Sequence, residues 1–175
     1  CPLHGLVWRS DPARVIGLYD RWSRYEADDA AGVIYASMYG NTAQMADHIA
    51  RRIAEAGVRD IRVYDVSKTH VSYLISEIWR CRGVLLGSCA YNTQMFPLME
   101  NLTRDLLHAG PKDRLLGVFG TYSWNGGGVK NLNAFAEQIG WETVAPSAEI
   151  LGRPTCEKYA ACDVLADAMA CRLKK

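Results

Sequence analysis

Three hydroxyls, a glycine and a carboxamide crowd into six residues, Ser37-Met38-Tyr39-Gly40-Asn41-Thr42, with no Lys or Arg between Ser37 and Gln44. Gly40 lets a ligand approach the backbone closely, while Ser37, Asn41 and Thr42 add side-chain donors. A nucleoside triphosphate loop needs a Lys for its terminal phosphates, and a dinucleotide loop needs G-x-G-x-x-G; neither is present. A neutral, hydroxyl-rich turn suits one terminal monophosphate. On this loop alone, an ordinary strand-to-helix turn capped by Ser37 or Asn41 fits as well. Two further clusters carry the same mixture of small polar and aromatic residues. They are Ser88-Cys89-Ala90-Tyr91-Asn92-Thr93 and Thr121-Tyr122-Ser123-Trp124-Asn125-Gly126-Gly127-Gly128. With Tyr39, the aromatics Tyr91, Tyr122 and Trp124 would offer walls for a planar heterocycle on a short phosphorylated chain.

The surrounding pattern positions these clusters at strand ends. Gly32–Ala36 is short, apolar and β-branched, and reads as a buried strand. After the first cluster, Met45, Ile49 and Ile53 recur at i, i+4 and i+8 with charged residues opposite, which predicts an amphipathic helix stopped by Gly57. Such a helix start offers unpaired N–H groups and the positive end of a macrodipole. Further on, Asp60–Val66, Gly83–Gly87, Leu115–Gly120 and Trp141–Ile150 read as strands, the last an edge strand because of Pro146. Helices are expected over Val71–Trp79, Met95–Ala109, Val129–Ile139 and from Pro154-Thr155 onward, the last facing inward with Cys162, Leu165 and Met169. Upstream, Asp11 and Pro12 open a helix to about Tyr25, with Val15, Tyr19 and Trp22 on one face, and Glu26–Asp29 forms a polar junction. Five strands alternating with five helices mean an α/β protein with a parallel sheet covered on both faces. Ligands of such sheets bind at the carboxyl ends of the strands, where all three clusters fall.

Composition narrows the function classes. A net charge of +1 over 175 residues, with 49% hydrophobic and 22% charged, is globular. It lacks the basic stripe of a nucleic-acid binder and the acidity by which a free carrier docks on basic partners. No apolar run approaches a membrane span and no signal-peptide pattern is visible, so a cytoplasmic location is expected. The six cysteines form no C-x-x-C and are read as reduced thiols, Cys81 and Cys89 as small buried fillers. The histidines are scattered, so no metal site assembles from spacing. His48, His70 and His108 are expected on the surface, Trp79 and Trp141 in packing. The opening Cys1-Pro2-Leu3-His4-Gly5 reads as the interior of a longer chain.

Taken together, S-M-Y-G-N-T after a strand and T-Y-S-W-N-G-G-G-V-K after a later one resemble the FMN-binding flavodoxin domain of flavodiiron proteins (A-type flavoproteins). The N-terminal C-P-L-H-G, W-R-S-D-P and Y-x-x-W also resemble the junction between that family's metallo-β-lactamase-like domain and its flavodoxin domain. The resemblance spans nearly the whole chain. It implies a flavodoxin-like three-layer α/β/α sandwich, strand order 2-1-3-4-5, preceded by a short linker helix. Residues 1–30 would be the tail of the preceding domain with that helix, and 31–175 the FMN domain.

Carried over by residue, the resemblance gives Ser37, Met38, Tyr39, Gly40, Asn41 and Thr42 as the cradle of the FMN phosphate. Ser88, Cys89, Ala90, Tyr91 and Asn92 would line the pyrimidine and N5 edge of the ring. Thr121, Tyr122, Ser123, Trp124, Asn125, Gly126, Gly127 and Gly128 would close the other face. Cys89-Ala90 departs from the family's usual Pro-Thr. No residue is expected to be catalytic, and no metal is expected; His4 would be a di-iron ligand only together with a domain this chain does not carry. The implied function is electron transfer from a rubredoxin or an NADH-linked flavin reductase through FMN to a di-iron site that reduces O2 or NO, in a head-to-tail homodimer. The alternatives are an FMN-dependent NAD(P)H:quinone reductase and a non-redox module of the same fold.

Overall fold

The computed structural model describes residues 7–174. His4 and the rest of the Cys1–Gly5 motif lie outside them. The elements run α1 (Pro12–Ser23), β1 (Asp28–Ala36), α2 (Asn41–Glu55), β2 (Ile61–Asp65), α3 (Val71–Arg80), β3 (Cys81–Tyr91), β4 (Gln94–Met95), α4 (Pro97–Ala109), β5 (Leu115–Tyr122), α5 (Gly128–Ile139), β6 (Glu142–Thr143), β7 (Ala148–Leu151), a 3-10 turn (Cys156–Tyr159) and α6 (Ala160–Leu173).

The sheet is ordered β2-β1-β3-β5-β6, parallel throughout along that path. This is the flavodoxin-like order 2-1-3-4-5, with β5 in fourth place. The fifth place is shared. Glu142–Thr143 pairs with the start of β5 and Ala148–Leu151 with its end, so the single edge strand expected over Trp141–Ile150 is two short ones. Pro146 lies in the gap, where its missing N–H interrupts no ladder.

Alternation along each central strand divides the core between two faces. Ala31, Val33, Leu85 and Phe119 pack beneath α2 and α6, with Met45, Ile49, Ile53, Cys162, Leu165 and Met169 from the helices. Ile34, Leu86, Leu116 and Val118 pack beneath α3, α4 and α5. Strands buried on both faces have to read as unbroken apolar runs, which is why they were legible.

Three boundaries differ from expectation. β1 begins at Asp28 rather than after a polar junction, because Asp28 is held by Arg21 at 2.7 Å and pairs with Cys81 across a bulge. β3 continues past Gly87 to Tyr91, turns, and pairs antiparallel with β4, so the second cluster is a β-hairpin, not a loop. Met95 belongs to β4, and α4 starts at Pro97, where a missing N–H is tolerated.

At the opposite end of the sheet, Arg114 is fully buried without a carboxylate. Its guanidinium donates to the carbonyls of Ile78 (3.0 Å), Trp79 (2.7 Å), Tyr25 (3.0 Å) and Lys112, and burial lowers its pKa. It thereby caps the carboxyl end of α3 and ties the chain leaving α1 to the core. Tyr25 also stacks on Trp79, with centroids 5.6 Å apart. α1 itself has no buried residue. Trp141 is buried and donates to the Pro111 carbonyl at 2.8 Å. Cys81 and Cys89 are buried, as expected. His70 caps α3, His108 is exposed, and His48 is half-buried, bonded to Asp163 at 2.7 Å and stacked on Tyr159.

Candidate functional site

The turn from β1 into α2 takes its shape from Gly40, whose φ of 84° is left-handed and sets the N-cap. The Ser37 hydroxyl accepts from the Gly40 N–H at 3.1 Å. Among the described residues, no acceptor meets the amide N–H groups of Asn41, Thr42 or Ala43. These three donors, with the dipole of a 15-residue helix behind them, form an anion site.

Beside this turn, the tip of the β3–β4 hairpin and the segment after β5 enclose a cleft of about 300 Å³. Thirteen residues line it, and none carries a formal charge. All thirteen come from the three sequence clusters, and twelve are among the expected contacts: Ser37, Met38, Tyr39 and Asn41; Cys89, Ala90 and Asn92; and Thr121, Tyr122, Ser123, Trp124 and Asn125. Tyr39 is 87% exposed and Trp124 91%, two large aromatics in the cleft wall without a packing partner. That is an apolar surface waiting to be covered.

Seven of the named residues stand outside the lining. Gly40 supplies the turn. The Thr42 side chain is fully buried, with its hydroxyl 2.8 Å from that of Thr121. Ser88 is also buried; its hydroxyl donates to the Cys89 carbonyl and accepts from the Phe96 N–H, both at 2.9 Å, fixing the hairpin. Tyr91 turns to Phe96 in an edge-on contact. Gly127 and Gly128 pass close to the hairpin, where a Cβ on Gly128 would stand 2.7 Å from the Ser88 carbonyl oxygen, and Gly126 stands beside the Glu149 side chain.

Thr93, absent from the expected contacts, also lines the cleft. Tyr91 pairs with Gln94, so Asn92-Thr93 is a two-residue hairpin turn, and both residues have positive φ, 46° and 63°. This type I′ geometry normally takes Gly in the second place; a β-branched residue there is strained. No local sequence signal marks it, because Asn-Thr is not a hairpin dipeptide. The Cys89 thiol is pushed up by burial, with the Met38 amide pulling the other way, so it stays a neutral thiol near pH 7. No Asp, Glu, His, Lys or Arg lines the cleft.

A family model described as Flavodoxin matches residues 33–162. The chain belongs to the flavodoxin family. It is 33% identical over 142 residues to the anaerobic nitric oxide reductase flavorubredoxin of Pectobacterium carotovorum, a match covering 80% of this chain and 28% of that protein. The Escherichia coli O1:K1 protein of the same name is 30% identical over 140 residues, covering 79% and 29%. Among solved structures, rubredoxin:oxygen oxidoreductase from Desulfovibrio gigas superposes with a TM-score of 0.87 at 22% identity, over 93% of this chain and 40% of that one. An archaeal flavodoxin superposes at 0.73 and 25% identity, over 83% of this chain and 99% of its own. The chain is thus a flavodoxin domain similar to the flavodoxin part of flavodiiron proteins. It spans less than a third of the length of these curated relatives. No helix among the described residues is long and apolar enough to cross a membrane, and no group of three or more potential metal ligands occurs among them.

Proposed function

We propose that this flavodoxin domain binds FMN in the cleft and transfers electrons. The observation that carries the reading is the pairing, across one uncharged cleft, of three free helix-start amides with the exposed rings of Tyr39 and Trp124. The donor set fits a phosphate monoester, and the aromatic walls fit the flat ring at its other end. Membership of the flavodoxin family implies the same cofactor.

When bound, FMN supplies the redox chemistry, and the protein supplies binding and orientation. The amides of Asn41, Thr42 and Ala43, with the Ser37 and Asn41 side chains, would hold the phosphate. Tyr39 and Trp124 would sandwich the ring and exclude water from its faces. The tip of the hairpin, Ala90 to Thr93, would present backbone donors and acceptors to the ring edge. No side chain in the lining carries a formal charge, so the neutral donors of the helix start face the phosphate without a competing carboxylate.

By similarity to the flavodiiron proteins, electrons would come from a rubredoxin or an NADH-linked flavin reductase and pass to a di-iron site outside this chain, where O2 or NO is reduced. The same likeness supports residues 1–30 as the approach from a preceding domain, residues 31–175 as the FMN domain, a homodimeric parent and a cytoplasmic location. The free thiols suit a reducing compartment.

Titrating the purified chain with FMN while following visible absorption and flavin fluorescence tests the reading. Quenched, stoichiometric binding is expected, weakened at least tenfold by Trp124→Ala with unchanged thermal stability. A chain that leaves FMN fluorescence untouched overturns it.

A further inference from the structure

α1 carries more apolar surface than the rest of the chain covers. Val15, Leu18 and Trp22, at i, i+3 and i+7, are half-buried, whereas Ile16 and Tyr19 beside them are 69% and 67% exposed. Tyr19, Trp22 and Ser23 face Ser76 and Trp79 of α3 across an open groove of about 420 Å³. Tyr73, one turn before Ser76 on the same side of α3, extends the aromatic surface and is 72% exposed. No charged side chain lines the groove, and the charges beside it are matched within the chain: Arg24 with Asp20 at 2.6 Å, Arg21 with Asp28 at 2.7 Å. The groove is also held in shape. Arg114 grips the Tyr25 carbonyl, and the Tyr25 ring stacks on Trp79. A preformed apolar face of this kind marks an interaction site.

Its place in the fold and its distribution among related proteins identify the occupant. α1 and the end of α3 lead into the first residues of β1 and β3, at the end of the sheet away from the cleft. An electron donor docking at the cleft leaves the groove bare. The archaeal flavodoxin matches 83% of this chain with 99% of its own, and the flavodoxin family model begins at residue 33, beyond α1. A flavodiiron core from Synechocystis matches 99% of this chain, α1 included, with only 43% of its own, at a TM-score of 0.76 and 25% identity. α1 thus lies outside the flavodoxin core and has its counterpart in a chain more than half of which is something else.

We propose that the groove between α1 and α3 is the docking seat of a further domain in a longer parent polypeptide, and that the surface seated there is apolar and uncharged. The proposal rests on the likeness by which residues 1–30 approach from a preceding domain; it does not depend on the cofactor. A tethered neighbour suits such a face, because the tether raises its effective concentration and a modest apolar contact then suffices. Burial of the rings of Tyr19, Trp22 and Tyr73 drives the docking, and no charge has to be matched.

The experiment exchanges the matching part of the Pectobacterium carotovorum flavorubredoxin for this chain and compares hydroxyl-radical footprints of the exchanged protein and the free chain. Tyr19, Trp22 and Tyr73 are expected to label several-fold more slowly in the exchanged protein. Tyr19→Lys should restore the labelling of Tyr73 there, and should leave the melting temperature of the free chain within about 2 °C of wild type. Equal footprints in a folded exchanged protein overturn the proposal. A free chain that sediments as a dimer, dissolved by Tyr19→Lys, gives the face to a second copy and overturns it too. The Desulfovibrio gigas rubredoxin:oxygen oxidoreductase is the second host if the first exchange does not fold, as circular dichroism reports. Failure to fold in both hosts removes the likeness on which the proposal rests, and the proposal with it. FMN binding by the free chain is read separately, so failure of the cofactor reading is distinct from each of these results.

Discussion

Gly127 passes so close to Thr93 that a Cβ on Gly127 would stand 2.2 Å from the Thr93 carbonyl oxygen. The segment after β5 and the hairpin tip are therefore packed backbone to backbone, and the glycine is required by the approach rather than by its φ. Gly126 differs: its Cβ would meet only the end of the Glu149 side chain, at 3.1 Å, which can swing away. Gly127→Ala should cost about 3 kcal/mol or more in urea unfolding and weaken flavin binding, while Gly126→Ala should change both little. Equal effects in the two variants would contradict this contact.

Thr93 itself offers a gain. Its φ of 63° is costly for a β-branched residue, and glycine adopts it freely. Thr93→Gly should raise stability by about 1 kcal/mol, after allowing for the extra freedom of glycine in the unfolded chain. The shift in urea midpoint measures it, and a lower midpoint would show that the turn is unstrained.

Arg114 separates stability from ligand binding. Removing its guanidinium leaves the carbonyls of Ile78, Trp79, Tyr25 and Lys112 short of a donor at the end of the sheet away from the cleft. Arg114→Met should therefore lose about 3 kcal/mol or more of unfolding free energy. The FMN dissociation constant of the folded variant should stay within twofold. A large loss of affinity would show that the two ends of the sheet are coupled.

Acid sensitivity has a named contributor. Arg80 grips Asp60 at 2.5 and 3.1 Å and holds its carboxyl below the usual range. A carboxyl depressed in the folded state stabilises the fold above its unfolded pKa, about 4, and that contribution disappears as pH falls through the folded value. Because the Asp60 side chain is 44% exposed, solvent screening leaves only about 0.5 kcal/mol. Asp60→Asn should lower the melting temperature slightly at pH 7 and converge with wild type as the pH falls through the depressed folded value. A difference that grows toward low pH would reverse the sign assigned here.

The sequence alone determined the α/β class, the burial of the central strands, the stripe of α2 and the clustering of three polar-aromatic segments at one end of the sheet. Periodicity reports these because burial on one face or two is imposed residue by residue along an element. Gly40 was legible for the same local reason: one backbone angle in one turn. Tertiary structure alone decided which hydroxyls face the cleft. The Thr42 and Ser88 hydroxyls each meet a partner that local sequence does not indicate: Thr121 on β5, and the Phe96 amide across the hairpin. The same holds for the divided fifth strand, for Asn92-Thr93 as a strained turn, and for the close backbone approach at Gly127 and Gly128. A buried polar group must find a partner, and which partner it finds depends on strand order and register that no local pattern encodes.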